Sequence, residues 1–149
     1  VRLKEREVYS LTLLAALSGG CVYTSDTLHK IAPDRVELFR FVQPDGVARK
    51  PYLPYLASNR KDIVLVHRNE KNGKVILFIF NGTDDDLLAS YSMEELKLGK
   101  LCFRDFYAPN EVITGDTLYL TTPAHGCRLL IGAENSDFEV DKASLWGNL

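Results

Sequence analysis

The stretch that most constrains the fold is "DIVLVHRNEKNGKVILFIFNGTDD", residues 62–85. Ile63 to Val66 and Val75 to Phe80 are runs of β-branched and aromatic residues, the types that fill a pleated, half-buried surface. Between them stands Asn72-Gly73, a dipeptide that tolerates the positive φ of a tight hairpin. The second run is apolar at every position, which predicts a central strand covered on both faces. Shorter strand candidates follow at Ala89–Ser92, Leu101–Tyr107, Val112–Ile113, Thr117–Thr121 and Arg128–Ile131. Turn formers separate them at Gly99, Ala108-Pro109-Asn110, Gly115-Asp116 and Pro123–Gly126, and "MEELKLG" reads as a helical turn. Short strands at this spacing predict an antiparallel β-sandwich over residues 61–135.

The N-terminal part has a different period. Val8, Leu11, Leu14, Ala15 and Ala16 recur at helical spacing, and from Leu11 onward the pattern is apolar nearly all round. This predicts a helix buried on most sides and stopped by Gly19-Gly20. "CVYTS" reads as a short strand, and Ser25 or Asp26 as the cap of a second helix through "TLHKIA". After Pro33, Asp34 is placed to cap a third helix, "RVELFRFV". A lone short strand between helices requires parallel neighbours, and the rest of the chain offers none of that kind. Residues 1–44 therefore read as a helix-strand-helix piece of a larger α/β domain. The proline-bearing stretch "DGVARKPYLPYLASN" reads as a linker over 45–60, and residues 136–149 as a tail without pattern.

Composition excludes several function classes. A net charge of −2 leaves no basic footprint for nucleic acid or for an anionic membrane. No stretch approaches the roughly 20 apolar residues of a transmembrane helix. An exported lipoprotein anchored at Cys21 is disfavoured, because Glu5 and Glu7 offset the basic residues before the apolar segment. Ser18 also occupies the place where Leu usually precedes a lipid-attachment cysteine. Cys21, Cys102 and Cys127 are odd in number and widely spaced, so neither a disulfide framework nor a metal-binding spacing is present. Cys21 and Cys102 read as buried small hydrophobes in a reduced, cytoplasmic protein.

The order "TLLAALSGG…YTSDTL", "ILFIFNGTDD", "LCFRDFY" and "TPAHGCRLLIG" resembles the C-terminal part of the α-galactosidase (melibiase) group of glycoside hydrolases. The matching pieces are Ala16–Gly20 with Ser25-Asp26, Phe80–Asp84, Asp105–Tyr107 and His125–Leu130, within roughly residues 8–132. The resemblance implies the last piece of a (β/α)8 barrel followed by an antiparallel β domain. It departs at Tyr107, where Trp is frequent in such enzymes. It implies that the two carboxylates of a retaining glycosidase lie upstream, so no catalytic residue and no cofactor is assigned here. The chain then supports a catalytic barrel and is not catalytic alone. A galactoside would bind only in the complete enzyme. Partners are the rest of the barrel, or a second copy pairing through residues 8–42.

In such a barrel Ser25 and Asp26 fall on the active-site rim, as substrate-binding residues; as isolated residues they are an N-cap. His29, one turn on, faces solvent or supports that cap, and His67 is structural. His125, between Pro123 and Gly126, lacks the further ligands a metal needs and reads as a turn residue bonded to nearby backbone. Asp84, Asp85 and Asp86 read as a solvated hairpin end rather than a calcium loop. Asp105 is expected to pair with Arg104 or Arg128. The alternative function is a stand-alone carbohydrate-binding module that stacks sugars on Tyr52, Tyr55 or Trp146.

Overall fold

The fold is described from a computed structural model, which covers residues 3–18, 27–38, 51–69 and 72–140. Seven strands follow the N-terminal helical part: β1 (Asp62–Arg68), β2 (Val75–Asn81), β3 (Leu87–Ser92), β4 (Cys102–Asp105), β5 (Val112–Thr114), β6 (Thr117–Thr122) and β7 (Cys127–Ala133). Five form one sheet in the order β1-β2-β7-β4-β5, and β3 pairs with β6 in a second. Every described pairing is antiparallel. The predicted sandwich is present, and each strand predicted over residues 61–135 lies within or overlaps an observed one.

The β1–β2 hairpin turns where Asn72-Gly73 predicts it, with Gly73 at φ 69° and the Asn69 N–H donating to the Lys74 carbonyl at 2.8 Å. β2 is the central strand its composition requires. Val75, Leu77 and Ile79 face the second sheet, where they meet Tyr91, Leu118 and Leu120 in one apolar cluster. Ile76 and Phe78 face the opposite way, into a second cluster with Leu65, Leu129 and Ile131. Strand alternation thus lets one sheet serve two cores.

Helix α1 (Glu5–Ser18) covers that second face with Leu13, Ala16 and Leu17. The molecule is therefore three layers deep: helix, five-stranded sheet, two-stranded sheet. The expectation that α1 is buried on most sides is corrected. Within the described residues one side is buried, while Leu11 remains 42% exposed. The predicted second helix is only a 3-10 turn (Leu28–Lys30), followed by α2 (Pro33–Leu38). Asp34 lies inside α2 and not at the position before its first residue. Pro33 opens the helix, as its fixed φ and missing N–H favour, and the Ala32 carbonyl accepts from Arg35 and Val36. The strand read in "CVYTS", the Gly19-Gly20 stop and residues 39–42 lie outside the described residues.

The proline-bearing segment packs on the sandwich. Tyr52 forms a two-way backbone bridge with Val66 at the β1 edge, both bonds 2.9 Å. At the other end of the chain, Phe138 and Val140 fold back against the helix-facing core.

Candidate functional site

A cleft of about 880 Å³ opens where the first turn of α1 meets one end of the sandwich. Glu7, Tyr9 and Ser10 of α1 form one wall, and Asp84, His125 and Cys127 belong to the other, with Tyr107 at the rim. Three hydrogen-bonded turns build the far wall. The first is organised by Asn81, the last residue of β2 and fully buried. Its amide nitrogen lies within hydrogen-bonding distance of the carbonyls of Asp85 (2.8 Å), Thr122 (3.1 Å) and Pro123 (3.2 Å). Its oxygen accepts from the Thr83 N–H and hydroxyl. One side chain thus ties the β2–β3 turn to the β6–β7 turn and satisfies a buried amide completely.

The second turn carries His125, in the left-handed region at φ 51°. Its N–H donates to the Thr83 carbonyl at 3.2 Å, and its imidazole Nε2 lies 2.7 Å from Asp84 Oδ1. The expected bond from this imidazole to backbone is therefore corrected: its partner is a carboxylate. Asp86 Oδ1 accepts from the Ala124 N–H at 2.9 Å, so two members of the acidic cluster hold this turn. The third turn follows β4. Asp105 Oδ1 accepts from the Tyr107 N–H at 2.9 Å while Oδ2 pairs with Arg128 at 2.8 Å, the second of the two predicted arginines. Tyr107 stands edge-on to Tyr9 of α1, with ring centroids 6.2 Å apart.

Cys127 lines the cleft beside Ser10. Burial pushes its thiol pKa up and the Ser10 hydrogen bond partly opposes this, so the thiol is a poor nucleophile. Cys102 is half-buried rather than buried as expected; both are free thiols.

A second polar cluster lies on the opposite side of β1. Asp62, its side chain 1% exposed, accepts from Arg60 Nε at 2.8 Å, Arg60 Nη2 at 2.9 Å and the Tyr91 hydroxyl at 2.6 Å. Burial alone would raise the Asp62 pKa, but these hydrogen bonds and the Arg60 charge outweigh it and hold the carboxyl below its ordinary value. The guanidinium also stacks 4.4 Å over Tyr55 and 4.8 Å over Tyr91. Tyr55 donates to Glu95 at 2.8 Å and Tyr52 to the Leu96 carbonyl. The rings considered for sugar stacking therefore fasten residues 51–60 to the sandwich.

The carboxylates of these clusters each hold a partner within the fold. Retaining glycosidases need two carboxylates about 5 Å apart, open to a sugar between them. Here Asp62 is held by Arg60 and Tyr91, Asp84 by His125, Asp105 by Arg128 and Glu95 by Tyr55. Among the described residues no group of three His, Cys, Asp or Glu side chains is disposed to hold a metal ion. Ser25 and Asp26 lie outside the described residues, as do Cys21 and Trp146; His29 is exposed on the 3-10 turn. Sequence reading missed the Arg60–Asp62–Tyr91 cluster, whose only local signal is an Arg and an Asp two residues apart ahead of a strand. Among the described residues no helix is long and apolar enough to cross a membrane.

No family model and no curated protein matches this sequence. Solved structures do match its fold. α-Galactosidase I from Mortierella vinacea is 14% identical, with a TM-score of 0.70 over 90% of this chain and 37% of that one. A GH27 β-L-arabinopyranosidase from Geobacillus stearothermophilus is also 14% identical, with a TM-score of 0.71 over 89% of this chain and 31% of that one. The Saccharomyces cerevisiae α-galactosidase in its structure with raffinose is 10% identical, at 0.59 over 89% and 44%. The fold is that of the C-terminal β domain of these glycosidases together with the helix packed on it. The chain spans less than half the length of each of these structures.

Proposed function

We propose that this chain is the C-terminal region of an α-galactosidase-like glycoside hydrolase, a support for a catalytic barrel and not a catalyst by itself. The observation that carries this reading is the asymmetry of the structural match, nearly the whole of this chain against about a third of the Mortierella and Geobacillus enzymes. The site geometry agrees, since Asp62, Asp84, Asp86, Glu95 and Asp105 are engaged in holding turns and segments together. The N-terminal part supports it further. Leu3, Leu11 and Val36 remain 42–47% exposed, apolar side chains that the remainder of a barrel would cover. Residues 1–44 are then the last piece of that barrel, 45–60 the connection, 61–135 the supporting sandwich and 136–149 a tail. Ser25 and Asp26 would reach the barrel rim and a galactoside only in the assembled enzyme. The free thiols of Cys102 and Cys127 favour a reduced, cytoplasmic setting.

The alternative, a stand-alone sugar-binding module, loses support because the hydroxyls of Tyr52 and Tyr55 are already bonded within the fold. Two measurements test the proposal. An antibody raised against this chain is expected to detect a native product more than twice its 16.8 kDa, and a native product of 16.8 kDa overturns it. Isothermal titration of the isolated chain with galactosides is expected to give no heat; saturable heat lost in Tyr52→Ala or Tyr55→Ala restores the module reading.

A further inference from the structure

We propose that Asn81-Gly82-Thr83 is an N-glycan acceptor in the unfolded chain, and that a glycan on Asn81 and the native sandwich exclude each other. The triplet is the single Asn-x-Ser/Thr sequence in the chain, the pattern an oligosaccharyltransferase modifies in secreted proteins. Such acceptors ordinarily stand on surface loops. This one closes the central strand β2, and Asn81 is 0% exposed. In the transfer, Asn81 Nδ2 forms a bond to C1 of a lipid-linked oligosaccharide diphosphate. The bond from C1 to the diphosphate oxygen breaks, the lipid diphosphate leaves, and one amide proton passes to a base of the transferase. The folded chain blocks this step at both ends of the triplet. The two hydrogens on Nδ2 are already shared among the carbonyls of Asp85, Thr122 and Pro123, at 2.8, 3.1 and 3.2 Å. The Thr83 hydroxyl, the other group that defines the acceptor, lies 2.7 Å from Asn81 Oδ1 and 3.0 Å from the Asp85 carbonyl.

The converse exclusion follows from the same bonds. A glycan on Nδ2 leaves one hydrogen for three carbonyls, and its sugar has to reach solvent through the contact between two turns. That contact is fixed from the backbone as well. The Asn81 N–H donates to the Gly126 carbonyl and the Gly126 N–H to the Pro123 carbonyl, both at 2.9 Å. A Cβ on Gly126 would lie 2.7 Å from Pro123 Cγ, so the β6–β7 turn has no room to repack around an added group. The order of synthesis decides which state is reached. The carbonyls of Thr122 and Pro123 come 41 and 42 residues after Asn81, and β7, the second neighbour of β2, follows them. At about 5–20 residues per second, Asn81 waits about 2–8 s for its lock. Where the transferase meets the nascent chain, the acceptor is open for that time; where it does not, the wait has no consequence. The sandwich is thus completed only where N-glycosylation does not act on this chain. The inference rests on the turns alone, whatever larger protein the chain serves.

The test is translation of the full chain behind a cleavable secretion signal in the presence of endoplasmic-reticulum microsomes. Three arms are compared: wild type, wild type with an excess of a competing Asn-x-Thr acceptor peptide, and Thr83→Ala, which destroys the acceptor and keeps the Asn81 amide. Wild type is expected to gain a glycan that peptide N-glycosidase removes. After the membranes are opened with detergent, the glycosylated chain is expected to have lost the protease-resistant product. The peptide-blocked wild type and Thr83→Ala are expected to carry no glycan and to keep that product. A wild-type chain that takes no glycan overturns the proposal. So does a glycosylated chain as resistant as the unmodified one, or a peptide-blocked wild type as sensitive as the glycosylated one.

Discussion

Replacing either partner of the Arg60–Asp62 pair removes the same ion pair, yet the two substitutions are not equivalent. In Asp62→Ala the Tyr91 hydroxyl, on a residue that is 0% exposed, loses its acceptor. An orphaned buried hydroxyl costs about 1–3 kcal/mol. The Arg60 side chain is 24% exposed and rehydrates, so it adds little, and the total is about 2–3 kcal/mol. In Arg60→Ala the orphan is a carboxylate only 1% exposed that has lost its counter-charge and both guanidinium bonds. Breaking a buried pair from this side costs about 3–5 kcal/mol. The lost stacking on Tyr55 and the lost bond to the Ser90 carbonyl at 3.2 Å add to it.

The two variants also part on pH. The Asp62 pKa is lowered from 3.8 in the folded wild type, so its contribution is full above that value and is lost as pH falls through the folded pKa. In Arg60→Ala the Arg60 bonds and charge no longer oppose burial, so the carboxyl takes up a proton at a higher pH than in wild type and the cost shrinks. Urea unfolding at pH 7 and pH 5 measures both effects. Arg60→Ala is expected to be the less stable variant at pH 7 and to approach Asp62→Ala at pH 5. An Arg60→Ala that is no less stable at pH 7, or a gap that does not narrow, refutes the assignment of Asp62 as a buried, ionised carboxylate.

Three further outcomes follow from the geometry. Asn81→Ala removes the amide that joins two turns, which costs about 2–3 kcal/mol and lowers Tm in a thermal scan by about 5–10 °C. Gly132→Ala places a Cβ 2.6 Å from Cε1 of the fully buried Phe103 ring. It is expected to cost about 1–3 kcal/mol by overpacking, with Phe103→Leu in the same chain recovering part of it by urea unfolding. Burial and the bond to Asp62 raise the Tyr91 pKa, so its contribution is full below the ordinary tyrosine value of 10.0 and is lost as pH rises beyond it. Unfolding followed from pH 9 to 11 should show that loss in wild type and less of it in Tyr91→Phe.

The strands were legible because β-sheet chemistry is local. Asn72-Gly73 marks the hairpin, and the unbroken apolar run from Val75 to Phe80 marks a strand with a core on each side. The start of α1 was also legible, since polar residues give way to a helical apolar period. The Arg60–Asp62–Tyr91 cluster was not, because Asp62 and Tyr91 are brought together by two sheets and no spacing in one segment encodes that. The second helix failed for a different reason. The reading ends this helix before Pro33, and the few residues between Thr27 and Pro33 complete only a 3-10 turn, because Pro33 starts the next helix. His125 was placed in a turn correctly, but its carboxylate partner lies 41 residues away.

The motifs that carry the likeness to α-galactosidases can now be given physical roles. "FNGTD" contains Asn81, the amide that ties β2 to the β6–β7 turn, and Asp84, which holds His125. "DFY" contains Asp105, which caps its own turn and pairs with Arg128 of "HGCRLL". All of these residues sit at one end of the sandwich, around the cleft where α1 docks. Substituting any of them orphans buried or half-buried polar groups, whereas much of the remaining surface tolerates change. In this chain these residues specify how the turns lock and where the helix seats. Such locks specify architecture: they fix how the turns close and leave the rest of the surface free to vary.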